Sequence, residues 1–110
     1  MKAFSVGLLG ERRAELYLRL HGLRILKRRY RVRHGEIDLI AREGDATVFV
    51  EVKARPRGEA GEGLRAVDAR KRQRLRYAAQ WYLSQHPAKT VRFDVVEITK
   101  AGIRHIKNAF

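Results

Sequence analysis

Asp38, Glu51 and Lys53 are the residues of this chain whose types and spacing can do chemistry together. Asp38 stands in the run Glu36 to Arg42. Glu51 and Lys53 stand in the run Thr47 to Ala54, and Gly44-Asp45 lies between the two β-prone runs. Gly-Asp in that position signals a two-residue hairpin turn. Such a turn pairs Leu39 with Val50, Ala41 with Val48 and Ile37 with Val52, an apolar face expected in the core. On the other face it pairs Ile40 with Phe49, Asp38 with Glu51 and Glu36 with Lys53. Alternation along each run and the register of the turn lead to the same arrangement.

Directly opposed residues of an antiparallel pair have β-carbons about 4.5–5.5 Å apart, so Asp38 and Glu51 are expected nearly to touch. Like charges at that distance resist double ionisation unless a cation lies between them. Two carboxylates, a backbone carbonyl and waters suit a hard divalent ion, Mg²⁺ or Mn²⁺. Lys53, on the same face as Glu51, can hold a scissile phosphate or a water attacking it. An acidic strand face is often only a solvated one. Strands as apolar as these, however, favour a central position, where acids facing outward need a reason.

Charge points the same way. Twenty-five Lys and Arg against twelve Asp and Glu give a net charge of +13, and 18 of the basic residues are arginine, the side chain that forks best onto phosphate. Such a field draws in polyanions, which makes nucleic acid, DNA first, the expected partner. The candidate contacts are Arg29, Arg31 and Arg33 in the basic run after the first helix, Arg55 and Arg57 beyond the hairpin, and Lys71 and Arg74 on the second helix. Lys71 is expected to snorkel past Val67 and Leu75 toward solvent. The four histidines lack ligand spacing, and His34 alone sits where it can contact substrate. With no cysteine there is no disulfide framework and no thiolate metal site. No run approaches the roughly 20 apolar residues of a membrane span, and the start turns charged too quickly for a signal peptide. A single domain over residues 1–110, cytoplasmic and not membrane-bound, is expected.

The elements that must position these residues follow from periodicity. A first helix is expected from Ser5, its cap, to His21, with Gly22 as its stop. Leu9, Leu16, Leu20, Tyr17 and Leu18 form its apolar arc, and Glu11 looks along the edge of that arc. A strand from Leu23 to Arg33 alternates Tyr30 and Val32 against Arg29, Arg31 and Arg33. After the hairpin, Arg55 to Gly63 reads as a mobile loop. A second helix from Leu64 to Gln85 aligns Val67, Lys71, Leu75, Ala78 and Tyr82, with Arg70, Arg72, Arg74 and Arg76 outside. Trp81 and Tyr82 are expected in or beside the core. Val91 to Ile98 is a strand, and Ile103 to Ala109 a short final one. The fold class is α/β: helix, three-strand antiparallel meander, helix and strand, with a mixed central sheet.

Gly35-Glu36-Ile37-Asp38-Leu39-Ile40-Ala41 followed by Phe49-Val50-Glu51-Val52-Lys53-Ala54-Arg55 resembles the YraN family of small bacterial proteins. The resemblance continues through Gly7 to Glu11 with Ala14, Lys71 to Leu75, and Arg92 to Val96, and so spans nearly the whole chain. That family is similar to the PD-(D/E)XK nuclease superfamily, which includes Holliday junction resolvases and restriction enzymes. The resemblance implies a restriction-endonuclease-like core, with Asp38 as the motif aspartate, Glu51 as the second acid and Lys53 as the lysine. It implies for Glu11 the role of a further acid, a metal ligand supplied by the first helix. Ile37 stands where the motif's name has proline.

The expected function is a metal-dependent endonuclease acting on DNA, branched or structured DNA included. The alternative is a nucleic-acid-binding module that keeps the nuclease fold without efficient cleavage. Resolvase-like relatives act as dimers on two-fold symmetric junctions, which implies a homodimer.

Overall fold

The first helix, α1 (Ala3–Leu20), leads into a sheet of five strands in chain order: β1 (Arg24–Val32), β2 (Gly35–Glu43), β3 (Ala46–Arg55), β4 (Thr90–Thr99) and β5 (Gly102–Ile106). The short helix α2 (Glu62–Arg65) and the long α3 (Ala69–Gln85) connect β3 to β4. The computed structural model describes the backbone of residues 3–110 and the side chains from Gly7 onward, so the expected capping side chain of Ser5 lies outside the described residues. Pairing is antiparallel throughout except between β3 and β4, which are parallel. That crossover through helices makes the sheet mixed and gives the restriction-endonuclease-like core expected from the element order.

The sheet separates two apolar layers. On one side Ala14 and Leu18 of α1 pack on Leu39, Ala41, Val48, Val50, Val96 and Ile98. On the other, Leu75, Ala78 and Tyr82 of α3 pack on Ile37, Ile40, Phe49 and Val95. Burial on both faces explains why β3 and β4 read as near-continuous apolar runs.

Three expectations change here. Helix α1 buries Gly10, Ala14 and Leu18, whereas Leu9, Leu16 and Leu20 are exposed. Small residues win because the helix lies close to the sheet: a Cβ on Gly10 would come within 2.9 Å of the Ala54 methyl. The single second helix is two helices, since Asp68 accepts the Lys71 amide at 3.0 Å and starts α3 afresh. Trp81 is exposed, and only Tyr82 joins the core, edge-on to Tyr30 and Phe49.

Candidate functional site

The turn at Gly44-Asp45 sets the register as expected as far as Leu39 opposite Val50, Ile40 opposite Phe49 and Ala41 opposite Val48. Beyond Leu39 the ladder stops, so Asp38 and Glu51 are not cross-strand partners and neither are Ile37 and Val52. Two local causes are visible. The Asp38 carboxylate accepts the Val52 amide at 2.8 Å, replacing the strand-to-strand bond with a side-chain one. Arg29, on the neighbouring strand, has φ 49°, and its position drops out of the β1–β2 pairing, which also shifts register between Ile25 and Lys27. Alternation along β2 breaks there, and Ile37 joins Ile40 on the α3 side instead of following Leu39 and Ala41. Glu36 pairs with Arg31 of β1, and Lys53 is in register with Glu97 of β4.

Where β2 and β3 part, a cleft of about 480 Å³ opens. Glu11 lines it from α1, Asp38 from β2, Glu51, Lys53 and Arg55 from β3, and Lys71 and Arg74 from α3. Asp38 and Glu51 therefore meet by another route than the one expected, their carboxyl groups within hydrogen-bond reach. Burial, then the Glu51 charge, push the Asp38 carboxyl up to about 7 against the lowering effect of the Val52 amide.

Lys53 reaches Glu51 at 3.2 Å. Burial opposes its charge, but contact with Lys71 and the charges of Glu51 and Asp38 outweigh burial and hold its pKa above the ordinary lysine value. Lys71 is exposed, as expected of a lysine that reaches solvent, and it also lines the cleft beside Lys53; that contact, with burial, lowers its pKa. Glu11 is raised by burial and by Asp38 while Arg29 holds it at 2.9 Å. Among the described residues no three Asp, Glu, His or Cys side chains converge closely enough to grip one ion. Asp38 and Glu51 are the acids in contact; Glu11 lines the same cleft with its charge committed to Arg29.

Arg29 and Arg31 act on the α1 side, both lowering Glu11. Arg57 lines a separate shallow hollow with Pro56 and Gly58, and Arg33 lies exposed at the end of β1, outside the cleft. Arg72 and Arg76 stack over Phe110, the first at 5.1 Å and the second at 5.6 Å, so the expected outer arginine row of the second helix is divided.

Sequence reasoning missed Glu97. This fully buried β4 acid accepts the amides of Gly61 at 2.8 Å and Gly63 at 2.9 Å. It anchors the segment after β3 that was expected to be mobile. Gly63 is required there, since a Cβ would come within 2.7 Å of Glu97 and 3.1 Å of Lys53. The available signal was a lone acid inside the apolar run Val95-Val96-Glu97-Ile98.

A family-wide profile described as "Uncharacterised protein family UPF0102" matches residues 10–98, the stretch that holds every cleft acid and both anchored glycines. The chain belongs to the UPF0102 family. Members similar to it include the UPF0102 protein of Shewanella amazonensis, 47% identical over 94% of this chain and 97% of the relative. That of Lachnoclostridium phytofermentans is 47% identical over 94% and 91%, and that of Halorhodospira halophila 46% identical over 91% and 82%. UPF0102 is the YraN family that the Gly35–Ala41 and Phe49–Arg55 segments resemble. No helix among the described residues is long and apolar enough to cross a membrane.

Proposed function

We propose that this UPF0102 chain is a divalent-metal-dependent endonuclease whose active site is the cleft between β2 and β3. The observation that carries the reading is the meeting of Asp38 and Glu51, with the Asp38 carboxyl pushed up to about 7, beside a charged Lys53. Two acids forced together and partly desolvated are unfavourable in isolation, and a cation relieves them. An oxygen-only donor pair suits Mg²⁺ or Mn²⁺, with water completing the shell. Asp38 and Glu51 would hold that ion, which would polarise the scissile phosphate and its attacking water.

The remaining work falls to side chains of the cleft. Lys53, kept protonated by its acidic neighbours, donates to a phosphate oxygen and stabilises the charge that builds there. Arg55 and Arg74 stand at the rim, where they bind flanking phosphates and fix the backbone's register. Glu97 ties down Gly61 and Gly63, and the Gly63 backbone then packs against Lys53. The net charge of +13 speeds encounter with the polyanion.

The test is cleavage of linear, flapped and branched DNA by the wild type and by Lys53→Ala in Mn²⁺ or Mg²⁺. Loss of a charged transition-state donor is expected to slow cleavage by about 10²–10³-fold while DNA binding persists. Chelator should abolish the wild-type activity. Binding without cleavage of any of these substrates by the wild type would overturn the nuclease reading in favour of a binding module.

A further inference from the structure

Helix α3 carries a feature of which the cleft uses only Arg74. Arg70, Gln73, Arg74, Tyr77 and Trp81 follow one another along it at steps of one to four residues, and together they make one stripe of the helix surface. All five are exposed, Trp81 at 50% and Tyr77 at 39%. Two open rings one helical turn apart make a patch that a flat partner can cover. His34 joins the stripe from the β1–β2 turn because Gly35 lets that turn touch α3, where a Cβ would lie 2.7 Å from the Arg74 carbonyl oxygen. The hollow between His34 and the helix has a volume of about 570 Å³. Arg74 lines both this hollow and the cleft, so the two adjoin at that side chain.

The helix's arginines divide by partner. Arg72 and Arg76 stack on Phe110, whereas Arg70 and Arg74 form no salt bridge among the described residues. Free cations and open aromatic rings on one stripe match the chemistry of an unpaired nucleic-acid strand, which offers phosphates and bare base faces together. A duplex offers the phosphates but keeps its base faces stacked. Tyr77 and Trp81 are separated by about 6 Å along the helix axis, more than the roughly 3.4 Å between stacked bases. Each ring can therefore take a separate base of an opened strand.

The geometry points to a track for single-stranded nucleic acid along α3, in which Tyr77 and Trp81 stack bases and Arg70 and Arg74 hold phosphates. The strand's delivery into the cleft rests on the nuclease reading; its binding along the helix does not.

Trp81 is the only tryptophan in the chain, so its fluorescence reports this contact alone. The full chain is titrated in EDTA with a mixed-sequence single-stranded oligonucleotide and with a duplex of equal length. The single strand should quench Trp81 strongly and the duplex far less. By fluorescence anisotropy, Tyr77→Ala and Trp81→Ala should each bind the single strand about tenfold more weakly. Trp81→Phe should retain most of the affinity, and circular dichroism should show all three variants folded. Saturating binding without any change in Trp81 emission would overturn the track, as would Trp81→Ala binding as tightly as the wild type. Quenching or a blue shift with phosphatidylglycerol vesicles, and none with the oligonucleotide, would overturn it in favour of a membrane surface. Cleavage assays on the same proteins in Mn²⁺ separate the two readings. Quenching without cleavage leaves the track and removes the nuclease, and cleavage without quenching does the reverse.

Discussion

Two pairs of acids in this sheet have opposite environments. Asp94 and Glu97 on β4 are almost wholly buried; donors reach both oxygens of Asp94 and one oxygen of Glu97. Asp94 takes both arms of Arg92, the His105 ring at 2.6 Å and the Asn108 amide at 2.9 Å. Glu97 takes the backbone amides of Gly61 and Gly63. Burial alone would raise both, but these donors win and both carboxyls lie below their ordinary values. Asp38 is raised to about 7 by burial and then by the charge of Glu51, with one backbone amide to oppose them. Burial raises every one of these acids, and the donors around each decide whether it ends above or below its ordinary value. The β4 acids keep their charge through donors and tie the fold together, whereas Asp38 is set against a second acid in the cleft.

The sharpest test of that division removes a satisfied acid. Asp94→Ala leaves the buried His105 ring without its partner, leaves the half-buried Arg92 with Glu43 alone, and frees the segment that carries Asn108. Breaking a buried, hydrogen-bonded charge pair costs about 3–5 kcal/mol, a large share of the stability of a domain this size. Chemical denaturation should show that loss. A change below about 1 kcal/mol would mean that the β4–β5 network is not what holds this end of the sheet.

Asp38→Asn should act in the other direction, with an effect of about 1–3 kcal/mol. Without metal the raised pKa means that the unfolded chain ionises Asp38 first, beginning near 3.8, while the folded protein keeps its proton until about 7. Wild-type stability from this group is then complete below pH 4, falls as pH rises from about 4 to 7, and levels off above. Asn keeps the acceptor for the Val52 amide and removes the titration, so the variant should be more stable than wild type at pH 8 in EDTA. Mn²⁺ should stabilise the wild type and leave the variant little changed. A variant less stable than wild type under chelation would mean that Asp38 and Glu51 do not repel each other. Asp94 and Glu97 have the opposite sign: their contribution is present above the unfolded carboxylate values and lost as pH falls through their lowered ones.

The sequence carried much of this, and it failed at identifiable places. The hairpin from Leu39 to Val50 was legible because strict alternation and a two-residue turn leave one register. The same rule, extended two residues, failed at Asp38, where a side chain captured the Val52 amide and Arg29 took a left-handed conformation opposite. Neither event has a sequence signal as strong as alternation. Asp38, Glu51 and Lys53 nonetheless come together, because they reach one cleft with the strands parted as they would with the strands paired. On α1, counting leucines misplaced the buried face, because close approach to Ala54 favours glycine and alanine over bulk. The break between α2 and α3 was readable in Asp68, a capping residue in the middle of an apparent helix.

Glu11 falls between the two classes of acid, and the smallest expected effect concerns it. Its carboxyl is raised by burial and by Asp38, as at the site, but it also has a partner in Arg29, as in the scaffold. Arg29 and a cation would compete for the same oxygens. Weakening the arginine should therefore release Glu11 to join Asp38 and Glu51 around Mn²⁺. Arg29→Asn is the informative change, because asparagine tolerates the left-handed backbone at position 29 better than alanine does. The lost pair is partly exposed and should cost less than about 1 kcal/mol of stability in EDTA. Mn²⁺ titration followed by thermal shift should show binding tightened by about threefold, a gain that Glu11→Gln placed in the same protein cancels. Unchanged Mn²⁺ affinity in Arg29→Asn would place Glu11 with the scaffold acids and leave the cleft with two acidic ligands.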